Sequence, residues 1–115
     1  MASQSNAQTM RASARREPPA YRRIVVKAGT TLLTGGGDRL NLQVMATLVE
    51  QLALLHLSGV ETILVSSGAV AAGRHVLGIT REGDPGHFRQ VLAAAGQGRL
   101  MHAYEQLFEW HEIPV

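Results

Sequence analysis

The only lysine of this chain, Lys27, closes a short β-branched run and stands two residues before a glycine, in the segment VVKAGTTLLTGGG that runs from residue 25 to residue 37. An ammonium group is a compact point charge with three donors, a good partner for phosphate oxygens. Gly29 and Thr30 follow it, and a Gly/Thr segment can bring several backbone N–H groups to one anion. A second segment, VSSGAVAAG, again ends an apolar run in small polar residues: Ser66, Ser67, Gly68 and Ala69. Hydroxyl and N–H donors in such a turn can grip a carboxylate. The chemistry suggested is therefore anion binding and charge neutralisation, without a covalent step.

Neither segment fits a common fingerprint. A P-loop reads G-x-x-x-x-G-K-[ST], but here the lysine precedes the glycine; G-x-G-x-x-G is absent as well. Residues 65 to 69 read V-S-S-G-A, not the G-x-S-x-G of a nucleophile elbow. The histidines (His56, His75, His87, His102 and His111) lack metal-ligand spacing, and no metal site is expected. Tyr104, Phe108 and Trp110 read as packing residues. On residue types alone two readings stand side by side: a phosphate site of an unlisted kind, or a solvated strand-end lysine beside an ordinary turn with a serine N-cap.

The flanking patterns say how these segments are placed. From Ile24 a β-branched run predicts a buried strand that stops at the glycines. Leu42, Met45, Leu48, Val49, Leu52 and Leu55 recur at helical spacing, with Asn41 as N-cap and Gly59 as terminator. Residues 62 to 66 predict a second buried strand, and AVAAGRHVLG a second helix. Strand, helix, strand in this order is a βαβ unit with a parallel sheet and a right-handed crossover. Parallel strands bring their carboxyl ends, with Lys27 and Ser67, to one sheet edge, where open parallel sheets bind ligands. After a loop around EGDPG, residues 88 to 109 predict a long helix interrupted by Gly96 and Gly98. Each costs about 1 kcal/mol relative to Ala, which suggests close approach of another backbone at both. The final IPV predicts the start of a third strand.

With 115 residues the chain has room for one modest domain. Residues 1 to 20 are rich in Ser, Ala, Gln and Arg and predict a disordered basic arm; residues 21 to 115 form the domain. The arm fits either a plain extension or an organelle transit segment, and Met10 is an alternative start. Five arginines and one glutamate lie within residues 1 to 23, whereas residues 24 to 115 hold six bases and eight acids. The domain is thus slightly acidic, and nucleic-acid binding is not expected of it. There is no cysteine, which excludes disulfides and thiolate metal sites. No apolar run reaches the roughly eighteen residues of a membrane span, and a cytoplasmic protein is expected.

Three stretches, IVVKAGTTLLTGG, LVSSGAVAAGRHVLG and QVLAAAGQGRLMHAYEQLF, together resemble the glutamate 5-kinases of the amino acid kinase family, over residues 24 to 115. The resemblance implies a three-layer α/β/α sandwich with a mainly parallel sheet, here truncated. It also implies transfer of the ATP γ-phosphoryl group to the side-chain carboxylate of L-glutamate with Mg²⁺, the first step of proline biosynthesis, in a homo-oligomer. By the same carry-over, Lys27 neutralises the transferring phosphate, Gly29 and Thr30 supply backbone donors to it, and Ser67, Gly68 and Ala69 hold glutamate. The acids and asparagine of the family's glutamate site, its second phosphate lysine and its nucleotide pocket have no counterpart here; Glu82 and Asp84 match no motif. The chain is accordingly expected to be inactive alone. The alternatives are a non-catalytic anion- or glutamate-binding or subunit-interaction module, and a sister amino acid kinase.

Overall fold

The computed structural model describes residues 20 to 80 and 88 to 115. The basic arm up to residue 19, the EGDPG loop with Glu82 and Asp84, and His87 lie outside the described residues.

Two parallel strands form the sheet, β1 (Arg23–Ala28) and β2 (Glu61–Ser66), in register Arg23↔Glu61 through Ala28↔Ser66. Between them run a one-turn helix, α1 (Thr30–Thr34), and the crossover helix α2 (Leu42–Leu57); α3 (Ala69–Leu77) and α4 (Arg89–Glu109) follow. The βαβ unit read from the sequence is present. The glycine segment after Lys27 is more ordered than a turn, because residues 30 to 34 coil into α1. Gly35 ends that helix in the left-handed region (φ 62°), its N–H donating to the Leu32 carbonyl and that of Gly36 to Thr31. A residue without Cβ adopts this conformation at no steric cost, and the paired bonds satisfy carbonyls the helix end would leave open.

Asn41 caps α2 as expected, its Oδ1 accepting from the N–H groups of Gln43 (3.0 Å) and Val44 (3.2 Å). Met45, Val49 and Leu52 are buried, whereas Leu42, in the first turn, is exposed. The core lies between one face of the sheet and helices α2 and α4: Val26, Ala28 and Leu64 meet Met45, Val49, Leu52, Leu100, Tyr104 and Phe108. At about 25 cal/mol per Å² of apolar area, burying side chains of this size supplies roughly 1.5–3 kcal/mol each.

The strands were expected to be buried on both faces. They are covered on one: Val25, Ile63 and Val65 point to the opposite, bare face and are 64%, 51% and 49% exposed. An apolar run reports buried-strand composition, but a strand is buried only where a second layer covers it. The same limit applies at residues 113 to 115, which pair with no strand here. Ile113 packs against the core instead; a strand needs a ladder partner, and Pro114 has no N–H to donate.

Helices α3 and α4 pack backbone to backbone at Gly73 and Gly96. A Cβ on Gly73 would lie 1.8 Å from the Leu92 carbonyl oxygen, and one on Gly96 1.9 Å from that of Ala69. Gly98 differs from expectation: nothing lies within 4 Å of its Cβ position, because it faces solvent two residues round the helix from the contact. Val91 and Met101 are exposed for a related reason. The buried stripe of α4 runs Leu92, Gly96, Leu100, Tyr104, Phe108 at strict four-residue spacing, and they flank it.

Candidate functional site

The carboxyl ends of β1 and β2 lie side by side, as the parallel topology requires. Lys27 sits opposite Val65 and Ala28 opposite Ser66, and the Ser67 N–H continues the ladder by donating to the Ala28 carbonyl (2.9 Å). All six residues singled out in the sequence gather at this edge. Lys27 is exposed on the bare face of the sheet. Gly29 is the N-cap of α1 and Thr30 its first residue; the N–H groups of the first helical turn have no intrahelical acceptor and are left for an outside oxygen. Ser67 is exposed, Gly68 buried and Ala69 half-buried.

Gly68 fixes the second turn. As N-cap of α3 it takes φ 110°, a value that side-chain-bearing residues rarely adopt. Its Cα packs beneath three leucines: a Cβ would stand 3.0 Å from Leu40 Cδ2, 3.3 Å from Leu33 Cδ1 and 3.4 Å from Leu100 Cδ1. The start of α3 is therefore pressed against the α1–α2 connection, and the two glycine segments are held together by core packing.

The adjacent serines divide their tasks. Ser66 points to the covered face, where its Oγ shares a 2.6 Å hydrogen bond with the Tyr104 hydroxyl and donates to the Ser67 carbonyl (2.8 Å). Ser67 Oγ makes no hydrogen bond among the described residues and is open at the sheet edge. Tyr104 is a packing residue, as read, with this polar tether in addition. Burial raises the pKa of its phenol above the ordinary 10.0, and the bond to Ser66 offsets that in part. The tether was missed because residues 38 apart carry no local signal of contact. Phe108 packs beside Tyr104, ring centroids 6.5 Å apart, whereas Trp110 is 85% exposed and packs little. It caps the last turn of α4, off the buried stripe.

A cleft of about 540 Å³ opens elsewhere, along the free edge of β2, lined by Thr62, Leu64, Ser66, Tyr104, Phe108 and Ile113. No acid, Lys or Arg side chain lines it, and Lys27 faces the other side of the sheet. No three His, Asp or Glu side chains gather to hold a metal among the described residues, and no described helix is long and apolar enough to cross a membrane.

Comparison with known proteins places the chain in a family. The model of the amino acid kinase family matches residues 22–115. The chain belongs to the amino acid kinase family. It is 52% identical over 95 residues to a glutamate 5-kinase of Herpetosiphon aurantiacus, an alignment covering 83% of this chain and 26% of the relative. Glutamate 5-kinases of Dehalococcoides mccartyi and Chlorobaculum tepidum are 50% and 48% identical over the same shares. The chain thus spans about a quarter of the length of the curated relatives it matches. Within the amino acid kinase family the glycine segments described above fall inside the matched region, and so do all six edge residues.

Proposed function

We propose that this chain forms part of a glutamate 5-kinase, which transfers the γ-phosphoryl group of ATP to the γ-carboxylate of L-glutamate at the carboxyl edge of the sheet. The observation that carries the proposal is the convergence of one unpaired lysine, the N-terminal turn of α1 and the open hydroxyl of Ser67 at a single strand edge. In this reaction a glutamate carboxylate oxygen attacks the γ-phosphorus, the bond to the β-bridging oxygen breaks, and ADP leaves.

Such a transfer asks the protein to position two anions and to stabilise charge spread over the phosphoryl oxygens. In this reading the Lys27 ammonium neutralises the phosphoryl group in flight, and Gly29 with the Thr30 N–H cradles its oxygens at the start of α1. Ser67 Oγ donates to the glutamate carboxylate, with Gly68 and the N–H of Ala69 at the start of α3 beside it. The Ser67 N–H is committed to Ala28, so the hydroxyl is that residue's contribution. Fixed donors of this kind act without reorganisation during the reaction. Mg²⁺ accompanies ATP in the family; no group of three or more His, Asp or Glu side chains able to hold a metal ion occurs among the described residues.

The fuller architecture is a three-layer α/β/α sandwich. The bare sheet face supports it, as do the free edge of β2 and Thr62 Oγ1, buried there without a hydrogen-bond partner. The domain is taken to span residues 21 to 115 with a basic arm before it, and a cytoplasmic homo-oligomer goes with the biosynthetic role. The chain by itself is expected to bind anions without turning over.

The test is ADP release by the protein carrying this sequence at its full native length, with and without L-glutamate. Glutamate-stimulated release that disappears in Lys27→Met is the expected result. Indifference to glutamate, with stimulation by another amino or carboxylic acid, would move the assignment to a sister kinase of the same family.

A further inference from the structure

A second basic site lies away from the sheet edge. A cleft of about 260 Å³ between the C-terminal end of α3, the middle of α4 and the turn preceding α2 is lined by Arg39, His75, Arg99 and His102, with Leu40 and Ala72 among its apolar surfaces. No carboxylate lines it, and none of the four basic side chains makes an ion pair or side-chain hydrogen bond among the described residues. The domain is slightly acidic in composition, so four bases converging on one cleft from three elements is not an average patch of its surface. Like charges held together with no counter-ion among the described residues repel one another. His75 registers this: Arg99 first, then burial, then Arg39, hold its pKa below the 6.5 of an ordinary histidine.

We propose that this cleft is an oxyanion site that takes a phosphate group, free or carried on a small organic molecule. Guanidinium groups present a planar fork of donors that matches phosphate oxygens two at a time, and Arg39 and Arg99 supply two such forks. His75 and His102 add ring N–H donors. The volume falls just short of the roughly 300 Å³ at which pockets for drug-sized ligands begin, which suits a phosphate with a modest substituent. A bound dianion reverses the repulsion at His75, so phosphate binding and His75 protonation reinforce each other.

The histidine Cε1–H proton resonances of the full chain report this directly, with the His75 signal identified by its loss in His75→Gln. Titration with inorganic phosphate at constant ionic strength is expected to move the His75 resonance saturably and to raise its apparent pKa, while His56, outside the cleft, stays behind. The shift is expected to persist in Lys27→Met, which separates this site from the sheet edge and from the kinase assignment. Arg99→Gln is expected to weaken binding about tenfold or more. Tighter binding of phenyl phosphate than of inorganic phosphate identifies an organic phosphate as the ligand class, and equal binding identifies free phosphate. The proposal is overturned if chloride at equal ionic strength reproduces the shift, or if His56 and His75 move together. Once the His75 signal is assigned, these two controls use the unaltered binding site, so they decide even if Arg99→Gln fails to fold.

Discussion

Gly73 and Gly96 meet where α3 crosses α4, with the Cβ position of Gly96 2.3 Å from the Gly73 backbone nitrogen. Neither helix has a side chain at the crossing, and the start of α3, which carries the Ser67–Ala69 turn, is thereby tied to the longest helix of the fold. Gly73→Ala and Gly96→Ala must push the helices apart. Each is expected to lower stability by about 3 kcal/mol, the upper part of the range for overpacking. Gly98→Ala, with open space at its Cβ, should instead stabilise by up to about 1 kcal/mol through helix propensity. Urea unfolding of the three variants checks the contrast, and a destabilised Gly98→Ala would contradict it.

Gly68→Ala carries two penalties, a left-handed backbone and a Cβ 3.0 Å from Leu40. A loss of about 1–3 kcal/mol is expected from the backbone strain. Because the turn it closes carries Ser67, glutamate affinity should fall along with the midpoint of thermal unfolding. Unchanged stability with lost affinity would mean that Gly68 serves the ligand alone.

Lys27 and Ser67 should behave in the opposite way. Both are exposed and unpaired, so Lys27→Met and Ser67→Ala are expected to change stability by less than about 0.5 kcal/mol. Activity of the full-length enzyme should nonetheless fall at least a hundredfold for Lys27→Met, with Lys27→Arg failing to restore it, since a planar fork does not replace a point charge. Ser67→Ala is expected to act mainly on the KM for glutamate. Steady-state kinetics in both substrates separates the two.

The half-buried Tyr104 phenol has a pH signature, set by its burial and only partly offset by the bond to Ser66. The folded phenol has a raised pKa, so the unfolded chain releases its proton first. Stability is full below about pH 10, the unfolded value, and falls as pH climbs from there through the raised folded value. Tyr104→Phe should cost about 1 kcal/mol at neutral pH and flatten that alkaline decline. Parallel declines in both proteins above pH 10 would assign the effect to another group.

Much of this was legible in the chain. The βαβ order, the cap at Asn41 and the meeting of Lys27 with Ser67 at one edge follow from periodicity and from the geometry of parallel strands. Gly96 could be suspected of close packing because a glycine in a helix interior is costly, but the same logic misjudged Gly98. Propensity registers that a residue is unusual, not which way it faces. Strand burial at Val25, Ile63 and Val65 was overread because hydrophobicity says a layer is wanted and not whether one is present. The Ser66–Tyr104 tether and the Arg39–His75–Arg99–His102 cleft were invisible for one shared reason: their members are brought together by helix packing across long sequence separations.

The bare face of the sheet has one more consequence. It reads, from one end to the other, as the solvent-exposed Arg23–Glu61 pair (2.7 Å), then the apolar Val25, Ile63 and Val65, then Lys27. Arg23 and Glu61 cancel, which leaves Lys27 as the single uncompensated charge that β1 and β2 present on that face among the described residues. A charged side chain flanking exposed apolar strand residues disfavours association through that surface. While that face stays uncovered, Lys27, proposed above to meet phosphate, is expected also to oppose self-association of the chain, and Lys27→Met should give up that protection along with its anion.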